Sequence, residues 1–245
     1  MCGRFVSASP PDELARYFGA QPPDRRLEPS FNVAPTTEVY AVRARAGHRH
    51  LVTLRWGLVP FWAKDPKVGS RMINARAESV LDKPAYRQAM SRRRCLIPAD
   101  GFYEWAKVPG HAKKQPYFIH RADGEPVVFA GLWERWRPPD DGADESGDRG
   151  VADGGDVLET CVILTCGPNE TMATIHDRMP VLLAPSDWDA WLADTDEPAR
   201  LAALLRPAPD GLLSLRAVGP AVNNVRNNRA ELLEPDPHPL EPAGE

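Results

Sequence analysis

Long hydrophobic segments are absent from this 245-residue sequence. No uninterrupted apolar run approaches the roughly 18 residues that a membrane-spanning helix requires. The chain also does not start with a charged segment followed by an apolar one, which is the pattern of a secretory signal. We therefore expect a cytoplasmic protein without a membrane partner.

Cysteine is scarce and occurs only at positions 2, 95, 161 and 166. None of these residues forms a C-x-x-C pair, which argues against a zinc ribbon and against a thioredoxin-type motif. We expect the thiols to be reduced, as is usual in cytosolic proteins. We predict no metal site and no cofactor.

The chain has no overall positive charge, since its formal net charge is −4. Its acidic residues are concentrated, however: residues 138–159 carry a net charge of −7 and residues 231–245 carry −5, so the remainder carries +8. A body with that excess can hold an anionic partner, although a mixed, solvated surface would have the same composition. Charge by itself leaves both interpretations open.

Regular alternation of strands and helices is also missing, which argues against a doubly wound parallel sheet. Apolar and β-branched runs predict strands at 38–45, 49–56, 94–99, 115–121, 126–133, 160–166, 180–184 and 213–218. Helices are predicted at 80–90, 169–177, 186–193 and 196–206, and a further helix is predicted to start at Pro10 with Ser9 as its N-cap. These elements predict an α+β fold: a single domain with a curved or barrel-like, mostly antiparallel sheet and flanking helices.

We predict that this domain spans residues 1–235. Within it, residues 138–159 are poor in apolar side chains and rich in Gly, Asp and Pro. Such a segment cannot bury enough surface to offset the entropy cost of ordering it. We therefore expect a disordered acidic insertion there, between two strands of one sheet, and a flexible tail at 236–245.

The first residues, MCGRF, place Cys2 directly behind the initiator methionine. Aminopeptidases remove Met1 when a small residue follows it, and Cys2 would then carry a free α-amine and a thiol on adjacent carbons. A terminal α-amine titrates near neutral pH, so part of it is an uncharged nucleophile. The alternative is that Cys2 lies in a frayed, functionless terminus.

Three other polar clusters are candidates for chemistry. INARAES (73–79) places Asn74 and Arg76 in alternating register, and TIHDRMP (174–180) places His176 at a predicted helix end. In ADGFYEW (99–105), Phe102 and Glu104 share one face of a predicted strand, so Glu104 is a candidate general acid or base in apolar surroundings. Each residue also has a structural interpretation: Asn74 as a turn former, Glu104 as a surface carboxylate, and His176 as a cation at a helix C-terminus.

Two further patterns allow two readings. The tryptophan-rich segment 55–65 is either buried core or a platform on which nucleic-acid bases stack. Cys2, His176 and Glu104 can also be read as the triad of a thiol hydrolase. Against that reading, Cys2 precedes the first predicted helix by several residues, whereas catalytic thiols commonly lie at a helix N-terminus.

Ten motifs in order closely resemble the SRAP family, the SOS-response-associated peptidases, over roughly residues 2–235. The motifs are MCGRF, NVAPT (32–36), WGLVPFWAK (56–64), INARAES, CLIPADGFYEW (95–105), KKQPYFI (113–119), FAGLWE (129–134), ILT (163–165), IHDRMPVLL (175–183) and VNNVRN (222–227). An ordered set of this length is far more specific than any single pattern.

The resemblance implies a DNA-damage response protein that recognises abasic sites in single-stranded DNA, including single-strand/double-strand junctions, and crosslinks to them. Cys2 would be the crosslinking residue once Met1 is removed, closing a thiazolidine ring on the sugar aldehyde. The resemblance therefore implies an enzyme with lyase-like imine chemistry, which we expect to be a monomer that associates with the nucleoid when bound to DNA. Whether an aminopeptidase or self-cleavage removes Met1 stays open, and a cysteine peptidase that acts on other proteins is the alternative function.

The resemblance also implies a role for each matched residue. Asn74 would position the α-amine and the sugar, Glu104 would assist amine deprotonation and imine formation, and His176 would move protons in ring opening and in reversal. Three arginines would bind DNA phosphates: Arg4, Arg76 and Arg178. Pro35, Phe61 and Trp62 would form a wedge against which a base stacks. Thr165 would line the pocket for the sugar.

Overall fold

The computed structural model describes residues 2–139, 157–195 and 197–241. In this part of the chain the strands are β1 (Arg4–Ser7), β2 (Ala20–Gln21), β3 (Ser30–Val33), β4 (Glu38–Arg45), β5 (His48–Trp56), β6 (Asn74–Arg76), β7 (Arg94–Ala99), β8 (Gly101–Lys107), β9 (Lys114–Arg121), β10 (Val127–Trp136), β11 (Leu158–Cys166), β12 (Met179–Pro180) and β13 (Leu213–Ala217). The α-helices are α1 (Pro11–Phe18), α2 (Pro84–Arg92), α3 (Glu170–Ala173), α4 (Trp188–Leu192) and α5 (Pro198–Ala203).

Five strands close into a barrel. Strands β11, β10, β7, β4 and β5 are antiparallel neighbours in that order, and β5 returns to pair in parallel with β11 at Thr160 and Cys161. Closure removes the unpaired edges that an open sheet would leave. The short strand β6 continues along the same edge of β11, pairing Asn74 with Ile163 and Arg76 with Thr165.

A second sheet, in the order β13-β9-β8-β1-β3, is antiparallel throughout and lies against the barrel. Phe5 of β1 makes the connection, with its ring centroid 5.0 Å from that of Trp56 and 5.7 Å from that of Phe129. Edge-to-face aromatic contacts of this kind add about 0.5–1.5 kcal/mol beyond the area that they bury. The start of the chain is therefore fixed between the two sheets.

The α+β, barrel-like and mostly antiparallel fold predicted from the sequence is confirmed. The predicted hairpin is present as β4 and β5, and most other predicted strands agree with the structure to within three residues. The predicted strand 180–184 is reduced to Met179–Pro180, because Val181 and Leu183 instead bond individually to Leu164 and Val128.

The predicted helix starts are less accurate. Helix α1 begins at Pro11, so its N-cap residue is Pro10, which has no side-chain hydrogen-bonding group; the Ser9 hydroxyl donates to the Asp100 carboxylate. Helix α3 ends at Ala173 rather than at 177, which leaves His176 in the loop that follows the helix. Helices α2, α4 and α5 lie within two to four residues of their predicted starts.

The structure describes only part of the predicted acidic insertion (138–159) and of the predicted tail (236–245). Residues 140–156 and 242–245 are outside the described residues. Leu158 and Glu159, which the prediction places in the insertion, are the first residues of β11, and Glu159 accepts a 3.0 Å bond from Arg43. In the segment predicted as a tail, the Leu240 N–H donates to the Gln115 side chain at 2.8 Å. No helix in the described ranges is long and apolar enough to cross a membrane.

Candidate functional site

Cys2 lies immediately before β1 and has no exposed surface. Its Sγ is 3.9 Å from the Arg4 carbonyl oxygen, a weak contact. Burial raises the pKa of the Cys2 thiol well above its ordinary value, and the nearby Glu104 carboxylate raises it further. The frayed-terminus interpretation of Cys2 is therefore wrong. The thiol is protonated at neutral pH while Cys2 is still peptide-bonded to Met1.

Asn74 is held beside Cys2 by the parallel pairing of β6 with β11. Its side-chain Nδ2 donates a 2.7 Å hydrogen bond to the Cys2 carbonyl oxygen. Its Oδ1 is buried and accepts no hydrogen bond from the described residues. A buried acceptor without a donor costs about 1–3 kcal/mol, so this oxygen has a strong tendency to accept a bond from a donor placed beside it.

Glu104 and His176 form the second half of the site. Glu104 is buried on the inner face of β8, and its Oε1 is 4.0 Å from His176 Nε2. The Arg178 backbone N–H donates to His176 Nδ1 at 3.0 Å in the neutral imidazole. Asp177 Oδ1 is 2.8 Å from the same Nδ1 and would accept its proton in the charged form. The ring therefore has a partner in both protonation states.

Thr165 and two arginines lie at the adjoining end of β11. Arg178 donates to the Thr165 carbonyl oxygen at 2.7 Å and to its hydroxyl at 3.3 Å. Arg178 also makes a bidentate ion pair with Glu78, at 2.6 and 2.9 Å. Arg76, the register partner of Thr165, is exposed and forms no ion pair with a described carboxylate.

Arg4 is held by the C-terminal segment. Its Nη1 donates to Asn32 Oδ1 at 2.8 Å and to the Val222 carbonyl at 2.9 Å, and its guanidinium lies 5.9 Å from the Trp105 ring centroid. Burial lowers the pKa of Arg4 from its ordinary value. Arg4 thus ties β1 to the VNNVRN segment in addition to being near Cys2.

Phe61 and Trp62 are exposed by 54% and 58%, which makes them exceptions among the large apolar residues. They project from a turn in which the Ala63 N–H bonds to the Pro60 carbonyl at 2.9 Å. Trp136 anchors that turn by donating to the Ala63 carbonyl at 2.6 Å. Of the two interpretations of segment 55–65, core applies to its first half and an exposed platform to Phe61 and Trp62.

Pro35 is half-buried on a separate turn, next to Thr36, whose N–H donates to the Trp56 carbonyl at 2.8 Å. The Pro35 turn is therefore hydrogen-bonded to the Trp56 end of β5, and the turn with Phe61 and Trp62 follows that same end along the chain. The structure brings Cys2, Asn74, Glu104 and His176 into one group, with Thr165, Arg76 and Arg178 beside it.

Two residues inside the quoted motifs were given no role from the sequence. Asn32 donates its side-chain amide to the carbonyls of Val222, Asn224 and Asn227, and so organises the VNNVRN segment. Glu78 closes the bidentate pair with Arg178. Their position in NVAPT and INARAES was the available signal. Among residues 2–139, 157–195 and 197–241, no three His, Cys, Asp or Glu side chains form a group that could hold a metal ion.

Comparison with known proteins identifies the family of this chain. The family model described as SOS response associated peptidase (SRAP) matches residues 1–225. The chain belongs to the SRAP family.

Two bacterial relatives match this chain over their full length. The abasic site processing protein YoaM of Bacillus subtilis is 40% identical over 241 residues, covering 97% of this chain and 100% of YoaM. The abasic site processing protein YedK of Escherichia coli is 32% identical over 246 residues, covering 96% and 100%. A crystal structure of a protein from Bacteroides thetaiotaomicron matches with a TM-score of 0.81 at 22% identity, over 96% of this chain and 100% of that one. That structural likeness concerns the fold alone.

Proposed function

We propose that this protein recognises abasic sites in single-stranded DNA and at single-strand/double-strand junctions, and that it crosslinks to them through Cys2 after Met1 has been removed. The names of its SRAP relatives support the substrate class. The observation that carries the proposal is the contact of Asn74 with Cys2, together with the buried Asn74 Oδ1 that has no donor. The α-amine released by loss of Met1 is a donor of the kind that this oxygen requires.

The chemistry balances with the loss of one water. An abasic deoxyribose in its open form has an aldehyde at C1′, and the Cys2 α-amine condenses with it to an imine and water. The thiol sulfur then adds to the imine carbon, and its proton goes to the nitrogen. The product is a five-membered thiazolidine. Ring closure requires the amine and the thiol on adjacent carbons, which only an N-terminal cysteine offers, and it removes the imine from which strand cleavage would proceed.

The surrounding side chains would supply the proton transfers. Glu104 would accept a proton from the α-amine and assist loss of water. His176, 4.0 Å away, would protonate and deprotonate the sugar oxygen during ring opening and during reversal. Asn74 would fix the direction of the amine.

The remaining residues would hold the DNA. Arg4, Arg76 and Arg178 would bind phosphates around the lesion, and Thr165 would line the sugar pocket. The exposed rings of Phe61 and Trp62, with Pro35 on the neighbouring turn, would form a wedge against which a base or a duplex end stacks. We expect a monomer that is cytoplasmic and joins the nucleoid when bound. Phosphate and stacking contacts are tolerant of sequence and sensitive to salt.

The test is a crosslinking assay with purified protein whose loss of Met1 has been checked by intact-mass spectrometry. With an abasic single-stranded oligonucleotide we expect a heat-resistant adduct in a denaturing gel, with the mass of protein plus DNA minus one water. Cys2→Ser keeps the α-amine and loses the thiol. It should give an adduct only when borohydride reduces the imine, whereas undamaged DNA should give none.

Three results would count against the proposal. Absence of an adduct in the wild type would remove it, and a stable adduct with Cys2→Ser would exclude the thiazolidine. Turnover of an unrelated peptide that is lost in Cys2→Ala would favour the cysteine peptidase. The buried, protonated Cys2 thiol described above does not favour that reading.

A further inference from the structure

Both terminal nitrogens of the Arg178 guanidinium are occupied by protein acceptors. Its Nη1 and Nη2 bind the two oxygens of Glu78, and Nη2 also binds the Thr165 carbonyl. Its Nε is buried and has no partner in the described part of the chain. The outward edge of the guanidinium, formed by Nη1 and Nη2, is therefore taken by Glu78.

That edge is the one that binds phosphate. Arginine binds carboxylates and phosphates alike through two parallel N–H bonds, because both anions present two oxygens in one plane. The carboxylate of Glu78 is thus in the place that a DNA phosphate would take. Its side chain is 56% exposed, so it can turn into solvent without leaving a cavity.

Arg76 lies near Arg178 but differs from it in having no carboxylate partner among the described residues. It is the register partner of Thr165, it is exposed, and no described carboxylate pairs with it. Glu78 follows it by two residues, and the pKa of Glu78 is lowered chiefly by its hydrogen bonds from Arg178 and to a smaller extent by Arg76. Glu78 is therefore ionised at neutral pH. Together, Arg76, Arg178 and Glu78 carry a net charge of +1, whereas the two arginines alone would carry +2.

We infer that Glu78 occupies the phosphate-binding edge of Arg178 in the free protein and is displaced when a DNA phosphate binds there. This inference rests on the proposed function, because it takes the ligand of Arg178 to be a DNA phosphate. Arg76, which has no competing carboxylate, then attracts the DNA strand first. Arg178 binds a DNA phosphate only when that phosphate displaces Glu78. Glu78 is a positioning residue that acts through Arg178 and weakens the binding of undamaged DNA.

The salt dependence of binding distinguishes this role from a merely structural one. For single-stranded DNA, the logarithm of the association constant falls with the logarithm of salt concentration by about 0.7 per phosphate neutralised. In the wild type the displaced Glu78 carboxylate gathers a cation and offsets part of this counterion release. Glu78→Gln removes that offset and should steepen the slope by up to about 0.7. Exposed ion pairs contribute up to about 1 kcal/mol, so affinity at low salt should rise about 2- to 5-fold.

The experiment measures fluorescence anisotropy of an undamaged single-stranded oligonucleotide at several salt concentrations, so that no covalent step intervenes. The matched control is Asp12→Asn. Asp12, on α1, also forms an ion pair with an arginine: Arg26 Nη2 donates to both of its carboxylate oxygens, at 2.8 and 2.9 Å. Strand β2, which follows α1, pairs with Arg49 and His50, at the end of β5 opposite Trp56. Asp12→Asn makes the same change in net charge and should alter neither affinity nor slope.

Arg178→Ala supplies the second variant. In the Glu78→Gln background it should abolish the gain in affinity and in slope, whereas Arg76→Ala should lower the slope in both backgrounds. If Glu78→Gln binds more weakly or with an unchanged slope, or if neither protein binds the oligonucleotide, the inference is wrong. The crosslinking assay with abasic DNA is scored separately, so a wild type that crosslinks normally would preserve the proposed function in that case.

Discussion

The side-chain amide of Asn74 donates a 2.7 Å hydrogen bond to the carbonyl oxygen of Cys2, across 72 residues of sequence. This bond fixes the backbone of the residue that the proposed reaction uses. It also leaves the Asn74 Oδ1 buried beside it without a donor. The contact gives the proposed site its geometry, and the predictions below start from it.

Asn74→Ala should slow crosslinking more than it destabilises the fold. A neutral hydrogen bond contributes about 0.5–1.5 kcal/mol, and the variant also removes the unpaired Oδ1, so the stability loss should not exceed about 1 kcal/mol, measured by denaturant unfolding. The single-turnover crosslinking rate should fall at least tenfold, because the variant loses both the bond to Cys2 and the acceptor for the amine. Asn74→Asp keeps an acceptor oxygen and should retain more activity than Asn74→Ala. A rate equal to that of the wild type would contradict the role of Asn74.

Glu104→Gln and His176→Gln should each lower the crosslinking rate by about 100-fold, because general acid–base groups typically contribute 10²- to 10⁴-fold. The measurement is the time course of adduct formation at saturating protein. His120→Gln is the matched control, since His120 is a half-buried histidine on β9 whose Nδ1 contacts its neighbour's carbonyl. Equal rates for the His176 and His120 variants would remove His176 from the mechanism.

Trp62→Ala should weaken the binding of undamaged single-stranded DNA by about 5- to 100-fold, since stacking a base on an aromatic ring contributes about 1–3 kcal/mol. The melting temperature should barely change, because Trp62 is 58% exposed and buries little surface. Val68→Ala removes an exposed apolar side chain from the 3-10 helix Pro66–Arg71, in the same connection between β5 and β6, and should leave affinity unchanged. A large fall in melting temperature with intact affinity would show that Trp62 supports the fold instead.

The fold should lose stability as pH rises above about 8.5, the ordinary pKa of a thiol. Burial raises the pKa of Cys2, Cys95 and Cys161, and it raises the pKa of Cys166 to about 11. The thiols stay protonated in the folded chain and ionise in the unfolded one. Each therefore contributes stability that is complete below the unfolded pKa and falls by about 1.4 kcal/mol per pH unit above it.

The measurement is the midpoint of urea unfolding between pH 7 and pH 10, in reductant and with Met1 retained. Cys166→Ala should shift the whole curve but flatten its alkaline limb, because one titrating thiol is gone. A midpoint that stays constant up to pH 10 would show that the thiols ionise equally in both states.

Short-range patterns account for the part of the fold that the sequence predicts. The alternation in ADGFYEW placed Phe102 and Glu104 on one face, and the structure has Phe102 in the main core and Tyr103 in a second cluster on the other side. The cap at Ser9 was wrong because the helix begins one residue later, with Pro10 as its N-cap residue. The backbone N–H and the hydroxyl of Ser9 both donate to a distant carboxylate, Asp100, which a local capping pattern does not include.

The site itself depends on pairings that no local pattern contains. Glu78 meets Arg178 across 100 residues, and it does so because β6 lies in parallel along β11. Parallel register between strands so far apart is set by barrel closure rather than by the residues of either strand. The motifs identified which residues matter through a family resemblance, but the ion pair of Arg178 and its competition with phosphate required the structure.

The complete burial of Cys2 sets a time limit on the maturation of the chain. In the proposed maturation Cys2, which has no exposed surface, becomes the first residue, so an external aminopeptidase would have to act before β1 is enclosed. That enclosure waits for β8, and the rest of the site waits for β11 and the loop that follows it, late in synthesis. On this proposal an aminopeptidase would have to trim the chain on the ribosome, before folding, whereas a chain that folds with Met1 in place would depend on self-cleavage.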